Sequence, residues 1–224
     1  MGVGHVAVAL GASRAAPRVN VGWLVFAALL ADFLLGIFAS LGLECATVPE
    51  NYSAKHYLLF TFPYSHGLAA LFVWAMLFGL LISRWHQVAE RSRVWLVIAL
   101  VVLSHFVLDG IVHIAGLPLI GQTSPKLGLG LWKLMPFELA LETFMAIAGL
   151  ALYWKLASPS KFAWRRYGMT SFVAVVTLMT WTQLRVTVPP DPKQLTGAWI
   201  IVPLVFGAVA YGLDRKRTRQ VRVS

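Results

Sequence analysis

The residues best suited to chemistry lie in Ser104-His105-Phe106-Val107-Leu108-Asp109, with His113 four positions further on. Four residues turn an α-helix by about 400°, so positions 105, 109 and 113 form one stripe on a single helix face. A stripe of His, Asp and His offers imidazole nitrogen and carboxylate oxygen to one ion or to two neighbouring ions. Nitrogen and oxygen donors in a closed cavity suit zinc, and they also suit iron or manganese. Glu138 and Glu142 repeat the same i, i+4 spacing in a later apolar segment. Carboxylates and histidines so spaced are a known way to build metal sites in bundle cores. His5, Asp32 and His66 are the remaining ionisable side chains set among apolar neighbours in this part of the chain. His56, His86 and Glu90 fall between apolar segments and read as solvated.

The elements that must position these groups follow from composition. The chain has 224 residues, 58% hydrophobic and 12% charged. Soluble domains run at about 45–50% apolar and about 25% charged, so the balance excludes disorder and argues against a water-soluble globule. A bilayer crossing needs about 20 apolar residues. Six such stretches are expected, at about 20–43, 61–83, 94–114, 136–154, 168–186 and 196–213. An apolar stretch at 3–13 is too short to span and reads as a half-helix. The fold expected is therefore all-α: a polytopic membrane helix bundle of six transmembrane helices plus a short N-terminal half-helix. Residues 1–156 would form the metal-site core, and 157–224 a two-helix segment with a basic tail.

The net charge of +10 has two readings. Nucleic-acid binding would want a dense basic patch with interleaved aromatics, and only the last ten residues supply the charge, so no nucleic-acid partner is expected. Sorted by loop, fourteen basic residues fall on one side: Arg14 and Arg18; Arg84, Arg91 and Arg93; Lys155, Lys161, Arg165 and Arg166; Arg215, Lys216, Arg217, Arg219 and Arg222. Five fall on the other: Lys55, Lys126, Lys133, Arg185 and Lys193. Basic residues gather in cytoplasmic loops, so the N-terminal loop and the C-terminus are expected in the cytoplasm. The lone Cys45 excludes an internal disulfide.

Counted from these basic markers at 1.5 Å per residue, Asp32 lies roughly 21 Å past Arg18 and Glu142 roughly 20 Å before Lys155. His105, Asp109, His66 and Glu138 fall at comparable depths, and His5 joins them if its helix dips into the bilayer. Ionisable groups at such depth usually face the bundle interior and mark function. Hydrogen-bonded packing and a metal-free proton relay are the plainer readings of any one of them. The glycines Gly67, Gly79, Gly110 and Gly149 read as helix contacts. Trp132 would sit at the rim of the site.

The order Gly4-His5, Asp32, Tyr64-Ser65-His66 and Ser104-His105-x-x-x-Asp109 resembles the YdjM-like family of bacterial membrane-bound proteins, described as metal-dependent hydrolases. A Gly-Leu-Gly-Leu-Trp stretch before a Glu-bearing helix extends the resemblance, here Gly128–Trp132 and then Glu138 and Glu142. It covers about residues 3–156. The same order is similar to that of zinc-dependent phospholipase C and its nuclease relatives. That resemblance implies that Asp32, His66, His105 and Asp109 hold one ion. It places His5, His113 and Glu142 in the neighbouring part of a cluster, with Asp109 bridging. Glu138 stands where that pattern carries a His, so one ion or two remain open.

The function expected is a membrane-embedded, zinc-dependent hydrolase of the bacterial cytoplasmic membrane. Its substrate would be a lipid or lipid-linked (phospho)ester, with Glu142 or Glu138 taking the proton from a metal-activated water. The rival is an ion- or proton-coupled transporter using the same buried layer. A haem carrier with His66 and His105 as axial ligands, and a scaffold with no chemistry, are the remaining alternatives.

Overall fold

The computed structural model describes residues 2–85, 90–156 and 163–223. His86, Lys161 and the division expected at 156/157 border or lie outside the described residues, as do the side chains of Arg165, Arg166 and the tail from Arg215 onward. The chain is mainly helical. Its helices are α1 (Gly2–Ala12), α2 (Val21–Ala28), α3 (Leu30–Ser40), α4 (Tyr52–Lys55), α5 (Leu68–Trp85), α6 (Arg91–Val112), α7 (Met135–Leu156), α8 (Ala163–Trp181) and α9 (Pro192–Val223). Short antiparallel hairpins join them: β1 (Cys45–Thr47) with β2 (Leu59–Thr61), and β3 (Leu117–Pro118) with β4 (Lys126–Leu127).

Among the described residues, four helices are long and apolar enough to cross a membrane: Leu68–Trp85, Arg91–Val112, Leu131–Lys155 and Lys193–Asp214. The pair α2–α3, bent by 52° at Leu29, is long and apolar enough only when its two helices are taken together. The stretch expected to span at 20–43 is therefore either a broken span or a re-entrant loop. The expected span at 168–186 falls on α8 and the 3-10 turn Thr182–Arg185 that ends it. Thr170, Ser171, Thr177 and Thr180 along α8 leave its described residues outside the set apolar enough to cross. The outward faces carry the membrane signal independently. Phe72, Val73, Met76, Leu77, Leu80 and Leu81 of α5 are exposed, as are Phe137, Phe144 and Ile147 of α7 and Ile201, Leu204 and Val205 of α9. Soluble monomers rarely expose apolar patches of this extent.

The expected half-helix is α1, and most of it is enclosed. Val3, His5, Val6, Ala9 and Leu10 are all buried, and the helix packs against α2, α6, α7 and α8. Its small residues permit this. At Gly149 a Cβ would lie 2.4 Å from the Ala7 carbonyl oxygen, so α1 and α7 meet backbone to backbone. Gly79 meets the Trp95 backbone in the same way, with a Cβ 2.9 Å from its carbonyl oxygen. Gly110 differs from expectation: a Cβ there would meet open space.

At the end bearing Arg14, Arg84 and Lys155, a buried carboxylate ties three helices. Asp214 of α9 accepts from Val21 N at the start of α2 (2.9 Å) and from the Tyr153 hydroxyl of α7 (3.0 Å). Asn20 caps α2 by accepting from Gly22 N, and its amide donates to the Tyr211 carbonyl of α9. The opposite end carries both hairpins. There the Gln183 amide donates to the His56 carbonyl, and His56 Nδ1 donates to the Val186 carbonyl.

Candidate metal centre

Asp32 enters from α3, just past the Leu29 bend. His66 comes from the Tyr64-Ser65-His66 turn before α5, and His105 and Asp109 come from α6. Asp32 Oδ1, His66 Nε2 and His105 Nε2 point at one another. The two imidazole nitrogens are 3.1 Å apart, and Asp32 Oδ1 is 3.7 Å from His66 and 4.0 Å from His105. Asp109 Oδ2 adds a fourth corner, 3.3 Å from His105 Nε2 and 3.7 Å from His66 Nε2. Ligand atoms about 2.0–2.1 Å from a tetrahedral zinc ion stand about 3.3 Å apart. Asp32, His66 and His105 lie near that spacing as one ligand set, and Asp109 belongs to an adjoining set with His5 and His105.

Proton accounting makes the same point. His105 Nδ1 lies 2.8 Å from the Ala28 carbonyl oxygen, which can only accept. Ala28 ends α2, where carbonyls run out of intrahelical partners, so the break at Leu29 supplies this acceptor. Nδ1 therefore carries a proton, and in its neutral form His105 turns its Nε2 lone pair toward Asp32, His66 and Asp109. Carboxylates only accept. Lone pairs so gathered in a buried place suit a cation or a shared proton among them.

Asp109 is the hub. His5 Nε2 lies 3.2 Å from Oδ1, and His113 Nε2 lies 3.2 Å from Oδ2. The expected stripe of 105, 109 and 113 is met with one difference: α6 ends at Val112, and His113 is extended (φ −61°, ψ 141°). Its placement falls to the Gly128-Leu-Gly-Leu-Trp segment. Leu129 N donates to the Gly110 carbonyl and Gly130 N to the His113 carbonyl, both at 2.8 Å. At Gly128 (φ 152°) a Cβ would lie 2.3 Å from the His113 oxygen, so only glycine fits. His5 stacks on His105, with ring centroids 3.9 Å apart and planes 3° from parallel. The buried His5 Nδ1 has no hydrogen-bond partner. His5, His105 and Asp109 also form a compact ligand set of their own.

Glu138 and Glu142 are buried one turn apart on α7. Glu142 Oε2 accepts from Gly4 N at 3.0 Å, which fixes the start of α1 beside His5. A cavity of about 160 Å³ reaches the site and is lined by Asp32, His66, Asp109, His113, Phe60, Phe62, Trp132, Trp199 and Leu35. Neither glutamate lines it. The Asp32 side chain is 31% exposed while the others of the shell are enclosed, so the open face is on its side. Trp132 forms part of the rim, against His113 and Tyr57. Lys126 and Lys133 are exposed. His66 and His105 touch too closely to admit a haem between them.

Sequence reasoning missed Glu44. It lies between α3 and β1, buried, and accepts from Tyr64 N (2.7 Å), Ser65 N (2.9 Å) and Ser65 Oγ (2.6 Å). Ser65 Oγ is in turn 2.8 Å from His66 Nδ1. Burial pushes the Glu44 carboxyl above its usual range, and the three donors pull against that and favour the anion. An acid in a polar loop gives no periodic signal, and only its burial sets it apart.

No family model matches the chain, and neither a curated protein nor a solved structure is similar to it.

Proposed function

We propose that the chain is a membrane-embedded metal-dependent hydrolase. The observation that carries this reading is the convergence of the His105 lone pair, His66 Nε2 and two carboxylates at coordination spacing inside an apolar bundle. Asp32, His66, His105 and Asp109 would hold the ion, with His5 and His113 orienting Asp109. Zinc suits this donor set, and iron or manganese would also fit. Bound zinc lowers the pKa of its water to about 7. Such a water would supply the nucleophile for attack on phosphorus or carbonyl carbon, with its proton passing by way of a carboxylate to the departing ester oxygen. The order of motifs resembling the YdjM-like family, in a bacterial inner membrane, supports the same class.

Asp32 is the carboxylate that borders both the shell and the cavity, and its second oxygen is the proton acceptor in this account. Glu142 anchors α1 through Gly4 N, and Glu138 stands one turn before it on α7. The exposed apolar faces around the bundle favour a lipid or lipid-linked ester, whose polar group alone would enter a cavity of 160 Å³.

The test is hydrolysis of a defined phospholipid and ester panel by reconstituted protein. Chelator-sensitive product release, lowered about 10²- to 10⁴-fold in Asp32→Asn, supports the reading. One observation favours a transporter as the second reading: the break between α2 and α3 beside the site, since broken helices are common at transporter ion sites. Proteoliposome ion flux that persists with chelator, with no hydrolysis of any panel member, would replace the first reading by the second.

A further inference from the structure

We infer that Glu44 is a positioning residue that acts through Ser65 to fix the ring proton of His66 on Nδ1. The inference rests on the metal-site reading and deepens it. The Glu44 carboxylate can only accept, and it takes the single hydroxyl proton of Ser65 at 2.6 Å. Having donated that proton, Ser65 Oγ can only accept at its 2.8 Å contact with His66 Nδ1. Nδ1 must therefore carry the hydrogen. The His66 Nε2 lone pair is left facing His105 Nε2 and Asp32 Oδ1. Two further donors, Tyr64 N and Ser65 N, lock the carboxylate onto the turn, so it cannot swing away from the hydroxyl. His105 obtains the same tautomer from a backbone carbonyl; His66 obtains it from a loop carboxylate two steps removed. Such outer partners of ligating histidines set ring orientation and ligand basicity.

The near-isosteric Glu44→Gln variant separates this role from simple packing. Its amide oxygen can keep the two backbone donors, and its NH₂ then faces Ser65 Oγ. The hydroxyl proton turns to His66 Nδ1, and the ring proton moves to Nε2. The test uses full-length protein in detergent, ¹⁵N-labelled at histidine, first metal-free and then titrated with zinc. In wild type the His66 nitrogen signals should report Nδ1–H; in Glu44→Gln they should report Nε2–H. Zinc affinity should fall by about 10- to 100-fold. Ser65→Ala should weaken zinc similarly with unchanged circular dichroism, and it serves if Glu44→Gln does not fold. The double variant should be no weaker than Ser65→Ala, because Glu44 acts only through that hydroxyl. An unchanged His66 tautomer with wild-type zinc affinity in Glu44→Gln would overturn the inference, as would additive losses in the double variant. Wild type that takes up no zinc yet shows the tautomer change would remove the metal reading and leave the positioning role standing.

Discussion

At the scale of single residues, the account rests on where protons can sit. His105 is committed by Ala28, and Asp109 is approached by His5, His105 and His113. Truncating a shell member and truncating an orienting partner should therefore differ. His105→Ala should abolish stoichiometric metal. His5→Ala should retain metal with affinity lowered about 10- to 100-fold, the range for lost outer partners, as read by zinc titration. Equal loss in both would place His5 in the shell beside His105. The stripe of 105, 109 and 113 was legible in sequence because a helix repeats its faces. Asp32 and His66 were legible as charges in apolar surroundings. Glu44 was not, because a loop acid looks solvated until the fold buries it. The separation of Glu138 and Glu142 from the cavity lining was also hidden, since helical spacing gives the face and depth of a residue but not its neighbour.

At the scale of elements, two close approaches carry the geometry. The contact of Gly149 with the Ala7 backbone sets α1 deep enough for His5 to reach Asp109. Gly149→Val should push α1 from α7, lower the thermal midpoint in detergent and weaken metal binding together. Overpacking of this kind typically costs about 1–3 kcal/mol. A variant with wild-type stability and metal affinity would show that α1 can shift without disturbing the site. The second approach is Gly128 against His113, where a loop substitutes for the missing helix turn. The sequence showed the glycines but not their partner, because a φ of 152° is set by the tertiary contact. The α2–α3 break was likewise unreadable: an unbroken apolar run, 20–43, bends at Leu29 with no proline or glycine at the bend itself.

At the scale of the whole molecule, alternating basic ends and outward apolar faces describe a membrane bundle, and the polar layer is its one costly feature. The single cysteine gives a direct probe of sidedness. Cys45 is exposed beside the hairpin end, opposite the end carrying Arg14 and Lys155. If the charge bias sets topology, a membrane-impermeant maleimide should label Cys45 from the outer side of intact spheroplasts. Labelling only after lysis would invert the orientation. Asp214, which reads as part of a basic tail in sequence, is the buried tie between α2, α7 and α9. Asp214→Ala should lower stability by about 1–3 kcal/mol without touching metal affinity, because it removes the carboxylate that Val21 N and the Tyr153 hydroxyl donate to, at the end of the bundle away from the site. The most direct test of the central claim is metal content by mass spectrometry of detergent-purified protein, wild type beside His105→Ala and Asp109→Ala. The account predicts stoichiometric bound transition metal in wild type and its loss in both folded variants. A folded wild type that carries no metal, and takes none up from added zinc, would contradict it.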